Sequence, residues 1–549
     1  MSEQNTPIEG KPKISHQRWL FQLVIVITVF TFGLWAGVKY SNAAGNIMAQ
    51  AQKVLGVMSL IQSAYVTEPD LGKLTEGAIE GMLKRLDPHS VYIPAKEQSR
   101  INEVDQGAFE GIGVSFIIEN ELITVVAPIP GSPSDRLGIR SGDKITEIDG
   151  ISAYGISEEE VFGKLRGPKG SQVVVKIARD NVPELLEFTI TRDKIPINSV
   201  LSHFMIDDST GYILLSQFMS TSTKELLTAF SDLDKAGMKR LIFDLRNNQG
   251  GRLDEAVSIS DMFIPAGHPL VSRRGRDEND RDSVYNSTDQ GTVPMYDLIV
   301  LINGGSASAS EIVAGAVQDL DRGLVIGENS FGKGLVQNQF ALKDGGMIRL
   351  STSHWFTPAG RLIQRAYDKG RGEYYAVQYR DNEDTTSIAG RKAYKTLGGR
   401  TVYSSNGITP DIKVTDDKIT GATIRLMNQR IMFEYSRTLA NRWGLSDKSD
   451  YKAFLKAITD TTNQAYRITD DDLRNLVDLA SKKKIEVPLT ALQADRKYIS
   501  EQLYAETAQV VWNNREYYYN ARTILDPVVN SALKQFAEAK KVAQVWNKR

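Results

Sequence analysis

Cysteine is missing altogether from this chain of 549 residues. Its absence rules out disulfides, thiolate nucleophiles and zinc-thiolate sites in one step. It leaves the compartment open, because exported proteins can also lack cysteine. Histidine is scarce, with only His16, His89, His203, His268 and His354 present. Neither sign of charge is in excess: 66 Lys and Arg face 67 Asp and Glu, for a formal net charge of -1. A general nucleic-acid binder needs a basic surplus to neutralise phosphates, so no nucleic-acid partner is expected. Fixed-period repeats and low-complexity tracts are absent too.

What is present is enough apolar material, 41% of residues, to bury large cores in about three or four domains. One run stands apart. LFQLVIVITVFTFGLWAGV begins at Leu20 and approaches the ~20 residues needed to cross a bilayer. Lys11, Lys13 and Arg18 precede it, and only Lys39 follows closely. That asymmetry predicts a cytoplasmic N-terminus and a single-pass protein of the inner (cytoplasmic) membrane, its body on the periplasmic or extracytoplasmic side. A signal peptide cut near Ser41-Asn42-Ala43 is the rival reading; the length of the run favours an uncleaved anchor.

Downstream, the pattern changes three times. Residues 41–106 carry helical periodicity, as in IMAQAQKVLGVMSLIQSAYV and LTEGAIEGMLKRL, ended by LDPHSVYI. Residues 107–195 turn to short alternating runs such as GVSFIIE and SQVVVKIA between turn residues, which read as strands of a small β-rich module. In 196–415, strand patterns (RLIFDLR, DLIVLIN, GLVIGE) alternate with helical ones, implying an α/β layer arrangement with its chemistry at strand ends. Residues 416–549 return to helical periodicity with many aromatics and no catalytic cluster.

Within the α/β region, GGSASASEI places Ser306, Ser308 and Ser310 at alternate positions between an apolar run and a helical one. Ser308-Ala309-Ser310-Glu311 fits a capping box, with the Glu311 carboxylate accepting the Ser308 N–H. The same position suits a nucleophile, because N–H donors at a helix start can hold an oxyanion. The three side chains do not share equivalent access to one attacking position. One nucleophile with two supporting neighbours is therefore expected.

A serine nucleophile needs a base. His16 lies on the wrong side of the membrane, His89 belongs to the helical arm, and the other three histidines lack a clear motif. A lysine serves if burial lowers its pKa. Lys333, between glycines in GENSFGKGLVQ, is the candidate, and even spacing along an extended chain puts Gln337 on its face to orient the amine.

SASASEIVAGA, GENSFGKGLVQ and DLRNNQGG, in this order and spacing, closely resemble the carboxyl-terminal processing (tail-specific) proteases. LDPHSVY, GIGV, TPAGR and GITPD extend the likeness over roughly residues 50 to 415. The resemblance implies Ser308 as nucleophile, Lys333 as base, Gln337 orienting the amine, and an oxyanion hole made by the N–H groups of Ala309 and Gly251. Glu110-Gly111-Ile112-Gly113-Val114 resembles the carboxylate-binding loop of a PDZ domain, in which a peptide terminus is captured and adds as a strand. Gly111, Ile112, Gly113 and Val114 are then the substrate-binding residues. The expected partners are unfolded or flexible proteins with apolar C-termini. Arg166, in LRGPKG, is the closest match to a basic residue that senses bound substrate in the family. No metal, nucleotide or other cofactor is indicated.

The expected fold class is thus a multidomain α/β protein. It comprises a cytoplasmic N-terminus (1–19), a transmembrane signal anchor (20–40), a helical arm (41–106), a PDZ domain (107–195), an α/β serine protease core (196–415) and a helical C-terminal extension (416–549). Two departures from the family pattern stand out. A polar, tyrosine-containing stretch over 365–406 is longer than the simplest members need, and the C-terminal helices lie outside the shared motifs. Those helices suit a homodimer contact, a substrate platform or a docking site equally. Two other functions stay open at this point: an inactive membrane-tethered PDZ scaffold, and a Ser-His-Asp hydrolase using His354.

Overall fold

The computed structural model describes residues 47–119, 121–179, 182–276, 283–288, 293–376, 390–415, 418–460 and 462–548. The expected membrane segment at 20–40 lies outside them. Among the described residues no helix is long and apolar enough to cross a membrane. The chain divides into two compact units, one ending at Leu86 and the other beginning at Asp87. Helices over 47–64 and Leu71–Leu83 form the described part of the first. The Asp70 carboxylate caps the second helix by accepting the Lys73 N–H at 3.1 Å.

The second unit opens with a short strand, Val91–Ile93, and a helix, Ala95–Asp105. The β-rich module follows. Its antiparallel sheet runs Val114–Glu119, Leu122–Pro128, Lys144–Ile148, Gln172–Ala178, Leu186–Thr191. Alternation along Gln172–Ala178 buries Val173, Val175 and Ile177 against Ile123, Ile145 and Val161. Helix Glu158–Leu165 packs on this core; Ser157 and Glu160 cap it reciprocally, and three glutamates occupy its first turn.

A six-stranded sheet forms the centre of the α/β region. Its order is Val200–Met205, Thr210–Leu215, Arg240–Asp244, Asp297–Ile302, Leu324–Gly327, Ile412–Lys413, parallel except for the first pair. Strands buried on both faces need continuous apolar runs, and Leu241, Ile242 and Phe243 supply one. Leu241 and Phe243 face helices Ser222–Lys235, Leu253–Phe263 and Ala309–Asp319. Ile242, pointing the other way, meets Val528, Val529, Ala532 and Phe536 from the C-terminal helices. The C-terminal extension therefore supplies one cover of the central sheet. It also reaches the β-rich module, where Asn513 Oδ1 accepts the Ser141 N–H at 2.9 Å.

A second, antiparallel sheet sets the long strand Met347–Phe356 between Val91–Ile93, Leu335–Ala341 and Pro269–Gly275. Its strand Leu335–Ala341 begins two residues after Lys333.

Candidate active site

Two neighbouring parallel strands end at the same edge of the central sheet, the usual place for a site in this architecture. After Arg240–Asp244 the chain turns through Asn247 to Gly251; after Asp297–Ile302 it turns through Gly304 to Ser308. Hydrogen bonds lock the turns together. The Asn248 carbonyl accepts the Ala307 N–H (3.0 Å) and the Ser310 hydroxyl (2.8 Å), and Ser306 Oγ donates to the Leu245 carbonyl (2.8 Å). Ser306 and Ser310 are fully buried. The outer serines thus rivet two turns, and the middle one faces a cavity of about 860 Å³ shared with Gly251, Ala309, Lys333 and Gln337.

Ser308 holds φ 54° and ψ -111°. Such a conformation typically costs a non-glycine residue on the order of 1–3 kcal/mol, and it persists only where the surroundings enforce it. Enforcement comes from Glu311, whose carboxylate accepts the Ser308 N–H at 2.8 Å, as the capping box requires. The same buried carboxylate accepts the N–H groups of Gly332 (2.6 Å) and Lys333 (2.9 Å) and the Ser330 hydroxyl (2.5 Å). Burial pushes its pKa up, while those donors oppose the shift. One side chain therefore ties the backbone of Ser308 to that of Lys333.

Lys333 Nζ donates to Gln337 Oε1 at 3.0 Å, and Gln337 Nε2 donates to the His89 carbonyl at 2.7 Å. Burial pulls the lysine pKa down from its ordinary 10.5 to about 8, aided by Arg349 and opposed by Glu311 and Asp87. Near the serine, the N–H groups of Ala309 and Gly251 have no acceptor among the described residues. Phe218 fixes the Gly251 turn from behind, donating to the Gly250 carbonyl (3.0 Å) and accepting the Arg252 N–H (3.0 Å). A Cβ on Gly251, which has φ 149°, would come within 2.1 Å of the Phe218 carbonyl oxygen.

In the β-rich module, the segment Gly111 to Val114 enters the first strand of the sheet. The carbonyl of Ile112 accepts the Ser134 N–H (3.1 Å) and hydroxyl (2.8 Å); that of Gly113 accepts the Ile129 N–H and the Ser132 hydroxyl, both at 2.9 Å. Gly113 has φ 81°, and a Cβ there would meet Ser132 Cβ at 2.2 Å. Arg166 ends helix Glu158–Leu165 and bridges to Gly111. Its guanidinium bonds Glu103 at 2.5 Å and lies over the rings of Phe109 and Phe162. Glu103 sits on helix Ala95–Asp105, whose Arg100, Ile101 and Val104 line the cavity of Ser308.

His354 is not brought to this cavity. It pairs across the second sheet with Leu335 and Arg274, and its buried Nδ1 has no hydrogen-bond partner among the described residues. His89, set aside in the sequence as part of an arm, stands instead beside Gln337. The signal for it was the LDPHSVY motif, whose Asp87 carboxylate accepts the N–H groups of His89 (2.8 Å) and Ser90 (2.9 Å) and shapes the turn.

Comparison with known proteins gives this geometry its class. Residues 209–369 match Peptidase family S41, residues 124–179 a PDZ domain and residues 36–97 the activating protease CtpB N-terminal domain. A carboxy-terminal-processing protease of Bartonella bacilliformis is 39% identical over 332 residues, 59% of this chain and 75% of that protein. A probable CtpA-like serine protease of Staphylococcus aureus is 33% identical over 376 residues, 66% of this chain and 74% of the other. Among solved structures, a photosystem II D1 C-terminal processing protease aligns at 27% identity and a TM-score of 0.34, covering 66% of this chain and 92% of that one. The chain belongs to the carboxy-terminal-processing proteases of peptidase family S41. It is a C-terminal processing serine peptidase with a PDZ domain.

Proposed function

We propose that the chain is a membrane-anchored endopeptidase that selects unfolded or flexible proteins by apolar C-termini and cleaves them with a Ser308–Lys333 dyad. The observation that carries this reading is a lysine amine with its pKa pulled down to about 8 by burial, held by Gln337 on the cavity that Ser308 faces. Neutral Lys333 takes the Ser308 hydroxyl proton as Oγ attacks the substrate carbonyl carbon. The N–H groups of Ala309 and Gly251 receive the oxyanion. Collapse expels the amine product, which takes its proton from the Lys333 ammonium and leaves an acyl ester on Ser308. Lys333 then deprotonates the water that attacks the ester carbonyl and returns that proton to Ser308 Oγ as the carboxylic acid product leaves. Gln337 Oε1 engages one amine hydrogen throughout and so aims the lone pair.

The loop Gly111 to Val114 captures the substrate's terminus, and Arg166 reports its presence. Its bridge to Gly111 and its ion pair with Glu103, on a helix lining the cleft, support that role. Tail binding shifts the balance between two placements of this connection only as far as the tail prefers one of them. The apolar run at 20–40 anchors the protein in the inner membrane with the catalytic body outside the cytoplasm. A homodimer is compatible with this arrangement.

Incubating the full chain in detergent with an unfolded protein bearing an apolar tail tests the reading. Wild type and His354→Ala should cleave it, while Lys333→Ala should not. Cleavage by Lys333→Ala, or its loss in His354→Ala alone, would refute the dyad. Retention in the membrane fraction after carbonate washing, lost when residues 20–40 are deleted, tests the anchor.

A further inference from the structure

Five side chains, the His89 backbone carbonyl and the Gly334 backbone N–H form a circuit of hydrogen bonds that starts at the Lys333 amine and returns to the residue after it. Lys333 Nζ donates to Gln337 Oε1 (3.0 Å), Gln337 Nε2 to the His89 carbonyl (2.7 Å), and the His89 ring Nε2 meets the Tyr374 hydroxyl (2.8 Å). Gln364 Nε2 donates to the Tyr374 oxygen (3.3 Å), and Gln364 Oε1 accepts the N–H of Gly334, the residue after Lys333 (2.7 Å). Because Tyr374 accepts from Gln364, its own hydrogen is free for His89 Nε2. Both rings are in the protonation states this needs: burial holds the His89 pKa down to about 3, with Lys333 acting in the same direction, and burial raises that of Tyr374.

Tyr374 belongs to helix Arg371–Ala376, which follows the long strand Met347–Phe356. It is 1% exposed and packs edge-on against Phe331 and His89, at 5.2 Å from each ring. Arg371 of the same helix donates to the Pro88 carbonyl at 2.6 Å. The helix therefore grips the peptide immediately before the one whose carbonyl, that of His89, accepts from Gln337. With that carbonyl engaging the amide nitrogen, the Gln337 oxygen is left to point at the lysine.

We infer that this helix is part of the apparatus that aims the base, with Tyr374 and His89 acting as positioning residues for Lys333 through Gln337. The inference rests on Lys333 being the base. Its mark is coupling: Tyr374 matters to the reaction only while Gln337 is there to be oriented.

The test is a double-mutant cycle on the full chain, with Tyr374→Phe, Gln337→Ala and both together. The readouts are kcat and KM for a fluorogenic peptide with an apolar C-terminal tail, and the rate at which a fluorophosphonate labels Ser308, all taken well below each variant's unfolding transition. Loss of one hydrogen bond in the circuit should lower kcat and the labelling rate of Tyr374→Phe by about 3- to 10-fold with KM little changed. In the Gln337→Ala background, the same substitution should change the labelling rate less than about twofold. Equal losses in both backgrounds would make Tyr374 merely structural and overturn the inference, as would an unchanged rate in Tyr374→Phe or an effect on KM alone. Lys333→Ala, run beside them, separates the two claims. Undiminished labelling there sinks the dyad itself, whereas additive losses with a dead Lys333→Ala sink only the positioning role.

Discussion

Raising pH should activate this enzyme, and removing Arg349 should delay the activation. With a Lys333 pKa of about 8 in place of 10.5, the neutral amine amounts to about one-tenth of the population at pH 7. An unperturbed lysine would supply about 300-fold less. The lowered pKa comes first from burial and second from Arg349, which lines the same cleft. The guanidinium disfavours the ammonium, so Arg349→Gln should raise the lysine pKa and move the kcat profile to the alkaline side. The assay is kcat at saturating tailed peptide from pH 6 to 10, for wild type and Arg349→Gln. The expected wild-type profile climbs about tenfold per unit below its midpoint near 8 and then levels. Arg349→Gln should be slower at pH 7 and should approach the wild-type plateau at pH 10. A flat profile, a midpoint near 6.5 as an ordinary imidazole gives, or an acid shift in the variant would mean that Lys333 is not the titrating base.

Lys333→Met should fold, and its stability relative to wild type should depend on pH in one window. Between about 8 and 10.5 the unfolded chain binds the lysine proton and the folded chain does not, so wild type gains on the variant as pH rises, by on the order of 3 kcal/mol in all; denaturant titrations at pH 7 and 10.5 showing no change would contradict the burial. Gly251→Ala, forced against the Phe218 carbonyl, should displace an oxyanion donor and lower kcat by about 10²–10³-fold; near-normal turnover would remove Gly251 from that role. Arg166→Ala should slow cleavage of tailed substrates below saturation while the affinity for a tail peptide stays close to wild type. Equal cleavage would dismiss the sensing role, and lost affinity would make Arg166 a recognition residue.

The local parts of this site were legible in the sequence because they lie close along the chain. The Ser308–Glu311 box spans one helical turn, and the Lys333 and Gln337 side chains meet at four residues' separation. What stayed hidden is long-range. His89 and Tyr374 are 285 residues apart, and no spacing rule links the LDPHSVY motif to helix Arg371–Ala376. Glu311 reads as a cap in sequence; its bonds to Gly332 and Lys333 exist only because strand Leu324–Gly327 lies along Asp297–Ile302. The C-terminal helices show the same limit. Their periodicity marks an apolar face, but only the sheet, with Ile242 and Ile299 turned away from the other helices, shows what that face covers. Arg166 reads as a turn residue, and its partner Glu103 comes from a helix in a different segment.

If a neutral Lys333 makes Ser308 nucleophilic, a fluorophosphonate should react at that one serine and only while the lysine can lose its proton. The full chain, labelled at pH 8 and analysed by peptide mass spectrometry, should carry the adduct on Ser308. Ser308→Ala should carry none, and Lys333→Arg should label at a small fraction of the wild-type rate, because a guanidinium keeps its proton. An adduct on Ser306 or Ser310 would move the nucleophile to that serine, and undiminished labelling of Lys333→Arg would remove the neutral lysine as its base.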